Sequence, residues 1–320
     1  MITSVGDALD RLEAGLSLSR EEALFLYESP STEALLAGAA EVRRRFGRRG
    51  VSLCAIHSVR TARCSEDCLF CAQSSRSVAF LDPSSLSDEA LVDRARAIEA
   101  SGVRRFSLVA SGRSPGGDLD RWLDLIARLG KATGLSLCAS FGLIDVEEAR
   151  RLKAAGLSRY HCNLETSESF FPSLCGSHSF REKVRTLRAA RQGGLSLCSG
   201  GIIGLGESDA DRLDLGLALA EIGPESVPVN LLHPLAGTPL AGRSRPEADA
   251  VLRLCALWRF LLPRSRLRLA GGRSALGDAL AAALKGPVDG LLTGDYLTTT
   301  GSDVAKDRAL LVSLGLEAAP

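Results

Sequence analysis

The sequence predicts an α/β fold, a (β/α)8 TIM-type barrel preceded by extra N-terminal helices. Eight short β-type runs alternate with longer segments of helical periodicity, a pattern typical of a parallel sheet with crossover helices. The chain has 320 residues, 45% of them hydrophobic, which is enough for one large barrel core. Unusual polar and sulfur-bearing residues cluster at the ends of the β-type runs, where such barrels carry their active sites. An open doubly wound sheet is the alternative, since one missed strand would leave the ring unclosed.

The predicted elements follow in order along the chain. Residues 1–47 predict two or three helices, and the barrel is expected over residues 51–315 of a single domain that spans residues 1–320. Segments 87–100 and 209–222 repeat apolar residues with a helical period. The β-type runs are 51–57, 105–111, 135–141, 160–165, 195–200, 227–232, 267–271 and 290–294.

Charge and cysteine content narrow the class of protein. Lys and Arg total 39 against 38 Asp and Glu, so the chain lacks the positive excess that nucleic acids or membrane surfaces attract. The first 13 residues contain three acids where a secretory signal would be basic and then apolar, and no apolar run approaches a membrane span. We therefore expect a cytoplasmic protein without nucleic-acid or membrane partners. Its nine cysteines then indicate metal binding or catalysis rather than disulfides.

The segment C-S-E-D-C-L-F-C places Cys64, Cys68 and Cys71 in one short loop after the first β-type run. A structural zinc site would need a fourth protein ligand, commonly from a second C-x-x-C pair, and no such pair follows. Three thiolates can hold three corners of a [4Fe–4S] cluster, which leaves one iron open to a small molecule. Zinc remains the alternative to this open cluster.

With the aromatic Phe70 before its last cysteine, the loop resembles the C-x-x-x-C-x-Φ-C motif of the radical S-adenosylmethionine superfamily. The resemblance implies that Cys64, Cys68 and Cys71 are catalytic and ligate a [4Fe–4S] cluster whose open iron binds S-adenosylmethionine (SAM). Reductive cleavage of SAM then yields a 5′-deoxyadenosyl radical. A barrel cavity with apolar walls would keep such a radical away from water.

Seven segments occur along the chain in the order and spacing of one family within that superfamily. They are C-S-E-D-C-L-F-C-A-Q-S-S, L-C-A-S-F-G-L, Y-H-C-N-L-E-T-S, L-C-S-G-G-I-I-G-L-G-E, V-P-V-N-L-L-H-P-L-A-G-T-P-L, R-L-A-G-G-R and G-D-Y-L-T-T-T-G. In these motifs the chain is similar to the biotin synthase family along nearly its whole length. The resemblance implies sulfur insertion into dethiobiotin, with an auxiliary iron–sulfur cluster as the sulfur donor. It also implies an electron donor such as flavodoxin or ferredoxin, and a homodimer.

The same resemblance implies that Cys138, Cys198 and Arg268 are ligands of the auxiliary cluster, the arginine being an unusual one, and that Cys198 also takes part in catalysis. The better-known branch of the family has a third cysteine at the position of Ser107 and a serine at that of Cys54, and here the two are exchanged. Both positions are expected to face the barrel interior, so the ligand set becomes Cys54, Cys138 and Cys198. Our hypothesis is a cluster larger than the usual [2Fe–2S], derived from [4Fe–4S] and carrying an extra sulfide.

The resemblance also assigns residues to SAM and to the substrate. Asn163 and Glu165 match positions that hold the ribose, and Lys183 replaces an arginine that binds the SAM carboxylate, which keeps the charge but loses the bidentate fork. Asn163 and Asn230 match contacts to the ureido ring of dethiobiotin, for which a carboxamide offers a donor and an acceptor. The remaining cofactor positions are Phe70, Ala110, Ser111, Gly204 and Glu207.

The glycine-rich segment G-G-I-I-G-L-G-E (200–207) has the spacing of a weak dinucleotide-loop pattern. It lacks the acidic residue that follows a second strand about 20 positions on in a Rossmann unit. The resemblance instead places the segment against the adenosyl group, where absent side chains let the backbone approach a ligand.

Three further cysteines lie outside the predicted ligand sets. Buried cysteines usually serve packing, which is our interpretation of Cys175 and Cys255. Cys162 lies beside Asn163, where the family has a histidine, and both a packing role and a site role stay open.

Two other functions stay open on the sequence. A related maturase or C–S bond-forming enzyme would cleave SAM without converting dethiobiotin to biotin. A non-enzymatic iron–sulfur carrier would not cleave SAM, and a cluster with only three protein ligands suits that role poorly.

Overall fold

Parallel strands and helices alternate along the chain in its computed structural model, which describes residues 1–61, 64–79, 86–294 and 301–319. The strands are β1 (Ser52–Arg60), β2 (Arg105–Ala110), β3 (Ser136–Ser140), β4 (Arg159–His161), β5 (Ser196–Cys198), β6 (Gly201–Ile203), β7 (Ser226–Leu231), β8 (Arg266–Leu269) and β9 (Gly290–Leu292). The helices are α1 (Val5–Glu13), α2 (Arg20–Glu28), α3 (Thr32–Phe46), α4 (Asp88–Ala100), α5 (Leu119–Ala132), α6 (Val146–Ala154), α7 (Phe180–Gln192), α8 (Asp209–Ile222), α9 (Ala248–Leu261), α10 (Ala279–Lys285) and α11 (Val304–Ser313).

The parallel sheet closes into a ring. Its strands run in the order β5, β4, β3, β2, β1, β9, β8, β7 and β6, and β5 also pairs with β7. Only Ser199 and Gly200 separate β5 from β6, so these two strands are halves of one, and the ring has eight strand positions. The predicted (β/α)8 barrel is confirmed, and the open doubly wound sheet is wrong. Every predicted β-type run overlaps a strand.

The break between β5 and β6 brings backbone segments of the wall close together. A Cβ built on Gly200 would lie 1.9 Å from the Pro228 carbonyl oxygen, and one on Gly201 would lie 2.6 Å from the Glu165 carbonyl oxygen. The Gly200 carbonyl accepts hydrogen bonds from the amides of Leu164 (3.0 Å) and Glu165 (3.2 Å). Packing of the barrel wall therefore requires glycine at both positions.

Side-chain caps determine where several helices begin. Ser19, Asp145 and Ser179 each accept a hydrogen bond from the backbone amide three residues on, and the glutamate at that position accepts one from the amide of the cap residue. A cap of this kind stabilises its helix by about 1 kcal/mol. These reciprocal caps fix the start of α2, α6 and α7 by local sequence alone.

Three helices, α1 to α3, precede the first strand, in agreement with the extra N-terminal helices predicted. All three contact α9, whose residues Trp258 and Phe260 are fully buried. The N-terminal helices therefore cover the outer side of α9. No helix in the described ranges is both long and apolar enough to cross a membrane.

Alternate residues of a strand face opposite sides of the barrel wall. On β2, Phe106 and Leu108 are fully buried in the main hydrophobic core, whereas Arg105, Ser107 and Val109 line a cavity inside the barrel. The outer strand faces thus contribute to the core, and the inner faces carry polar groups and sulfur. This division determines which side chains are available to a ligand.

Candidate active site

A cavity of about 400 Å³ occupies the barrel interior beside the loop that follows β1, a volume suited to a small organic ligand. Most of the residues predicted from the sequence to form a site line this cavity. From the predicted auxiliary set these are Cys54, Cys138, Cys198 and Arg268. From the predicted cofactor and substrate sets they are Phe70, Cys71, Asn163, Glu165 and Asn230.

Three cysteines and three arginines meet inside the barrel. In the strand register, Cys54 lies opposite Arg105, and Cys138 lies opposite Arg159. Arg105 Nη1 donates a hydrogen bond to Cys138 Sγ (3.1 Å). We call Cys54, Cys138 and Cys198 the inner thiols, and Arg105, Arg159 and Arg268 the inner arginines.

The inner thiols and inner arginines perturb one another. Burial raises the pKa of Cys54 to about 11, with Arg268 lowering it and the other two inner thiols raising it further. Burial lowers the pKa of Arg105, but the facing thiols outweigh burial and the net shift is upward. Burial and then Arg105 lower the pKa of Arg159. Because metal binding deprotonates thiols, three cations here face three groups that would become anions in a metal complex.

Hydrogen bonds fix the Arg268 guanidinium to the barrel wall. Its Nη1 donates to the carbonyls of Ser52 (2.9 Å) and Leu291 (2.6 Å), and its Nη2 donates to Ser52 Oγ (3.1 Å). These bonds hold the guanidinium at the cavity, where its charge lowers the pKa of Cys54. Arg268 therefore brings positive charge to the inner thiols from a fixed position.

The three-cysteine loop reaches the cavity through its C-terminal part. Cys71 lines the cavity, whereas Cys64 and Cys68 do not. Backbone hydrogen bonds fold the loop, from the Cys64 amide to the Gln73 carbonyl (2.7 Å) and from the Cys71 amide to the Cys68 carbonyl (3.2 Å). The three predicted ligands of the [4Fe–4S] cluster thus share one folded loop at the edge of the cavity.

Cys175 lies against this loop, which corrects its interpretation as a packing residue only. It is buried, and its Sγ lies 3.7 Å from Cys68 Sγ, 3.2 Å from Asp67 Oδ1 and 3.3 Å from His178 Nδ1. The hydrogen bond from Cys68 lowers the pKa of Cys175 to about 4, and His178 adds to this lowering against the effect of burial. Cys255, in contrast, is fully buried in α9, as its packing interpretation expects.

Glu165 has an unusual backbone conformation at the cavity wall. Among the described residues it is the one non-glycine residue with positive φ (71°). Its Oε2 is buried without a hydrogen-bond partner, and its Oε1 lies 3.9 Å from Lys183 Nζ. Backbone strain and unsatisfied buried oxygens are unfavourable in a fold, and they concentrate at ligand sites. Lys183 is thus close to the cavity, although it does not line it.

Asn163 and Asn230 line the cavity and also bind the barrel backbone. Asn163 Oδ1 accepts a hydrogen bond from the Gly200 amide (3.1 Å). Asn230 Nδ2 donates to the Gly201 carbonyl (3.2 Å), and its Oδ1 accepts from the Gly271 amide (3.0 Å). These bonds fix both amides. Since a carboxamide has two donors and two acceptor lone pairs, capacity to bind a ligand remains.

Besides Lys183, four predicted cofactor residues lie off the cavity lining. The Ser111 amide donates to the Arg60 carbonyl (3.0 Å), and the Ser111 carbonyl accepts from Arg60 Nε (2.7 Å). Glu207 Oε1 accepts from the Gly204 amide (2.9 Å), while Glu207 Oε2 is buried without a partner. The four residues are Ala110, Ser111, Gly204 and Glu207.

The structure also bears on two other predictions from the sequence, for the glycine-rich segment 200–207 and for Cys162. Strand packing already requires Gly200 and Gly201, so their missing side chains do not by themselves indicate an adenosyl group. Cys162 is buried in the hydrophobic core and off the cavity, which favours its packing interpretation. Residues 295–300, within the G-D-Y-L-T-T-T-G motif, lie outside the described residues.

Sequence reasoning missed two of the inner arginines, Arg105 and Arg159. Each stands at the start of a strand, on the same face as other cavity residues, which are Ser107 on β2 and His161 on β4. The period of two along a strand could have found them. A charged residue at the start of a β-type run is more usually a solvated strand end, so the period of two does not by itself predict that these arginines face a cavity.

The donor sets fit two iron–sulfur clusters and a hydroxyl-bearing ligand. Thiolates are the usual ligands of such clusters, and the chain offers them both in the loop after β1 and among the inner thiols. The inner arginines match the negative charge that such a complex would carry. The unpartnered Glu165 Oε2 would be satisfied by a hydroxyl donor in the cavity.

The chain is similar to known proteins along nearly its whole length. A profile of the Radical SAM superfamily matches residues 58–217, and one of the Biotin and Thiamin Synthesis associated domain matches residues 228–317. The chain is 49% identical to the biotin synthase of Desulforudis audaxviator, with 96% of this chain and 95% of that one covered. It is 45% identical to that of Pelotomaculum thermopropionicum, with 97% and 98% covered. In fold it is similar to methylornithine synthase, with TM-score 0.83, 20% identity and 98% and 97% of the two chains covered.

Proposed function

The chain belongs to the biotin synthase family of the radical SAM superfamily, and from that membership we propose how its cavity converts dethiobiotin to biotin. The enzyme is a radical SAM sulfurtransferase that uses a [4Fe–4S] cluster and SAM. One observation supports the proposal most: Cys71 of the cluster loop and all three inner thiols line the same cavity. Sulfur insertion needs a radical source and a store of sulfur beside one substrate.

When bound, the clusters and SAM supply an electron, a carbon-centred radical and the sulfide that enters the product. Cys64, Cys68 and Cys71 would hold the [4Fe–4S] cluster at the edge of the cavity. Glu165 would accept a hydrogen bond from a ribose hydroxyl through Oε2, its unpartnered oxygen. Apolar lining residues such as Ile56 would exclude water from the reacting carbon.

Further residues extend the proposed cofactor site beyond the cavity lining. Lys183, whose Nζ lies 3.9 Å from Glu165, would attract the SAM carboxylate by its charge. Phe70 lines the cavity next to Cys71 and would pack beside the cofactor. We propose that the outer rim of the cofactor site is formed by residues at or just after the ends of β2 and β6, which are Ala110, Ser111, Gly204 and Glu207.

Asn163 and Asn230 are the proposed ligands of the dethiobiotin ureido ring. A cyclic urea presents both N–H donors and a carbonyl acceptor, and a carboxamide complements both. Hydrogen bonds to Gly200, Gly201 and Gly271 hold the two amides in place before substrate arrives. This arrangement would lower the cost of ordering them on binding.

We propose Cys54, Cys138 and Cys198 as the protein ligands of the auxiliary cluster. All three line the cavity, and each of the other two raises the pKa of Cys54, which supports their being mutual neighbours. Ser107 lines the same cavity without a thiol, so Cys54 supplies the third sulfur in its place. Arg268 would act beside them as a counter-cation, in the position where the family has an arginine ligand.

Iron and sulfide counts, with Mössbauer spectra of reconstituted protein, test this ligand set. We expect about eight irons per chain rather than about six, since the auxiliary cluster is expected to derive from [4Fe–4S]. Cys54→Ala should lower the count to about four, whereas Cys255→Ala, at a buried cysteine of α9, should leave it unchanged. A [2Fe–2S] signature that disappears in Cys138→Ala but survives in Cys54→Ala would reject the set.

An anaerobic assay with reductant, SAM and dethiobiotin tests the activity. We expect biotin and 5′-deoxyadenosine from the loaded wild type, and neither from Cys71→Ala. Cys198→Ala should still form 5′-deoxyadenosine but no biotin, because only the sulfur store is lost. 5′-Deoxyadenosine without biotin from the wild type would favour a related enzyme with another substrate. No cleavage of SAM would favour a carrier.

Three parts of the proposal rest on family membership alone. These are flavodoxin or ferredoxin as the electron donor, a homodimeric state and a cytoplasmic location. The family's requirement for a strong one-electron reductant supports the first. Reduction assays with purified flavodoxin, and mass measurement of the loaded protein in solution, would test the first two.

A further inference from the structure

Cys68, Cys175 and His178 form a compact group of potential metal ligands next to the cluster loop. Within the described part of the chain, one donor atom of each lies within 4.8 Å of the others. Cys175 Sγ lies 3.7 Å from Cys68 Sγ and 3.8 Å from His178 Nε2. Two thiolates held tetrahedrally by zinc at about 2.3 Å are about 3.8 Å apart, and a thiolate and an imidazole nitrogen are about 3.6 Å apart. The two distances from Cys175 Sγ therefore match two edges of a tetrahedral site.

A buried carboxylate orients the histidine of this group. His178 Nδ1 lies 2.6 Å from Glu66 Oε2, and the two side chains are 7% and 9% exposed. Ser177 Oγ also donates to Glu66 Oε2 (2.9 Å), which fixes the carboxylate. Metal-binding histidines commonly donate one ring N–H to a carboxylate and bind the metal through the other nitrogen. With Nδ1–H donated to Glu66, the lone pair of Nε2 is the one that can bind a metal.

Backbone contacts hold Cys175 and His178 against the cluster loop. Asp67 Oδ1 accepts hydrogen bonds from the amides of Gly176 and Ser177, both at 2.9 Å. The Leu69 amide donates to the Leu174 carbonyl (2.9 Å). The segment that carries Cys175 and His178 is thus fixed to the segment that carries Cys68. A site formed by these three side chains would need little rearrangement.

We propose that Cys68, Cys175 and His178 form a second metal site, which binds one thiophilic divalent cation such as Zn²⁺ or Fe²⁺ while the chain lacks its [4Fe–4S] cluster. Both thiols lose their protons on binding, and the fourth coordination position is left to solvent. The site shares Cys68 with the cluster loop, so the cation and the [4Fe–4S] cluster exclude each other. By mass action, a bound cation then opposes loading of the cluster.

Residue-specific alkylation of the wild type tests the ligand set without any variant. Cluster-free full-length protein is kept reduced, incubated with or without Zn²⁺, alkylated and analysed by peptide mass spectrometry. We expect Zn²⁺ to protect Cys68 and Cys175 and to leave Cys64 and Cys71 reactive. Protection of Cys64, Cys68 and Cys71 with Cys175 left reactive would overturn the proposal, because the cation would then lie in the cluster loop.

Cobalt absorption spectra give a second test, in a Cys138→Ala/Cys198→Ala background that removes two of the inner thiols. We expect one tetrahedral Co²⁺ per chain with thiolate charge-transfer bands. Cys175→Ala and His178→Ala should weaken binding at least about tenfold, and Glu66→Gln about 10- to 100-fold. Cys64→Ala is the matched control and should bind Co²⁺ as its background does. Loss of binding in Cys64→Ala with retention in Cys175→Ala would contradict the site.

Competition with cluster assembly is the third readout. In the Cys138→Ala/Cys198→Ala background, Zn²⁺ added before reconstitution should lower the iron bound per chain, both without a further substitution and with Cys255→Ala added. The same Zn²⁺ should have a smaller effect on Cys175→Ala, relative to the zinc-free sample of that variant. An equal loss in both would overturn the proposal. Because SAM cleavage by the zinc-free, loaded wild type is measured separately, failure here is distinct from failure of the proposed sulfur insertion.

Discussion

Glu165 combines two features that a fold does not favour by itself. A positive φ of 71° costs a non-glycine residue about 1 kcal/mol or more, and a buried oxygen without a partner costs about 1–3 kcal/mol. A ligand hydroxyl would remove the second cost but not the first. The ligand that Glu165 is proposed to bind therefore accounts for its unpartnered oxygen, while the positive φ is a cost that the fold itself bears.

Glu165→Asn should separate stability from cofactor binding. Asparagine tolerates the left-handed region better than glutamate and does not bury a carboxylate there, so we expect a free energy of unfolding about 1 kcal/mol higher for the cluster-free protein. The affinity of the loaded protein for SAM should fall about tenfold, because a hydrogen bond to a charged acceptor is lost. Denaturant titration and anaerobic SAM binding measure the two quantities. Lower stability with unchanged SAM affinity would contradict the role of Glu165.

Arg105 should tune the auxiliary cluster through its hydrogen bond to Cys138 Sγ (3.1 Å). Arg105→Met removes a donor and a positive charge from a sulfur ligand, and both changes disfavour the reduced, more negative cluster. We expect the midpoint potential to fall by about 59 mV for each tenfold loss in the relative stability of the reduced state. Redox titration followed by electron paramagnetic resonance measures the shift. Arg105→Lys should restore part of it, and an unchanged potential in Arg105→Met would exclude the interaction.

Which side chains line the cavity could be predicted from the sequence only where a residue type was unusual. Cysteine and asparagine inside apolar runs are rare, so the sequence alone predicts Cys138, Cys198, Asn163 and Asn230, and all four line the cavity. Arg105 was not, because a cation at a strand start is commonly solvated. The contact of Cys175 with the cluster loop arises from the folding of two segments distant in sequence, which no local pattern encodes.

At the scale of elements, the break between β5 and β6 is a place in the barrel wall where backbone segments come too close for a side chain. A Cβ on Gly200 would lie 1.9 Å from the Pro228 carbonyl oxygen, and backbone cannot move aside as a side chain can. We expect Gly200→Ala to lower the free energy of unfolding by about 1–3 kcal/mol or more. Thermal unfolding of the cluster-free protein measures the change.

Gly130→Ala is the matched control for that substitution. Gly130 lies inside α5, and a Cβ there would meet nothing within 4 Å. Alanine should therefore stabilise the helix by about 0.5–1 kcal/mol. Equal changes in the free energy of unfolding for the two substitutions would show that strand packing does not require glycine at position 200.

The sequence predicts strands well where a local pattern determines them, and less well where tertiary contacts determine where a strand begins and ends. The eight β-type runs all overlap strands, because buried parallel strands are short apolar runs. Of the run 160–165, only the start is strand, within β4 (Arg159–His161). Beyond β4 the chain no longer pairs with β3, and backbone amides there donate to the Gly200 carbonyl instead. The sequence does not predict the second half of the fifth strand, Gly201–Ile203, because Gly200 and Gly201 at its start are unfavourable for a strand unless backbone packing demands them.

At the scale of the whole molecule, the barrel holds two groups of thiols that the fold itself does not need. Cys138 and Cys198 raise the pKa of Cys54, and burial lowers the pKa of Arg159, so charges in this interior are unfavourable unless they are paired. Binding of iron–sulfur clusters would deprotonate the thiols and pair them with the inner arginines. Loaded protein should therefore be more stable than cluster-free protein by the free energy of cluster binding.

Anaerobic thermal unfolding checks this expectation. We expect reconstitution to raise the Tm, by about 2 °C for each kcal/mol of binding in a chain of this size. The rise should shrink in Cys54→Ala, which loses only the auxiliary set, and shrink again when Cys71→Ala is added. A Tm that does not depend on iron content would contradict the linkage between the barrel and its clusters.

The central claim is that two iron–sulfur clusters with different protein ligands share one cavity. Anomalous scattering at the iron edge, from crystals of anaerobically reconstituted protein, tests it most directly. We predict two separate iron sites in the barrel, one held by Cys64, Cys68 and Cys71 and the other by the inner thiols. Iron at the loop alone, or zinc in place of iron at either set, would contradict the account.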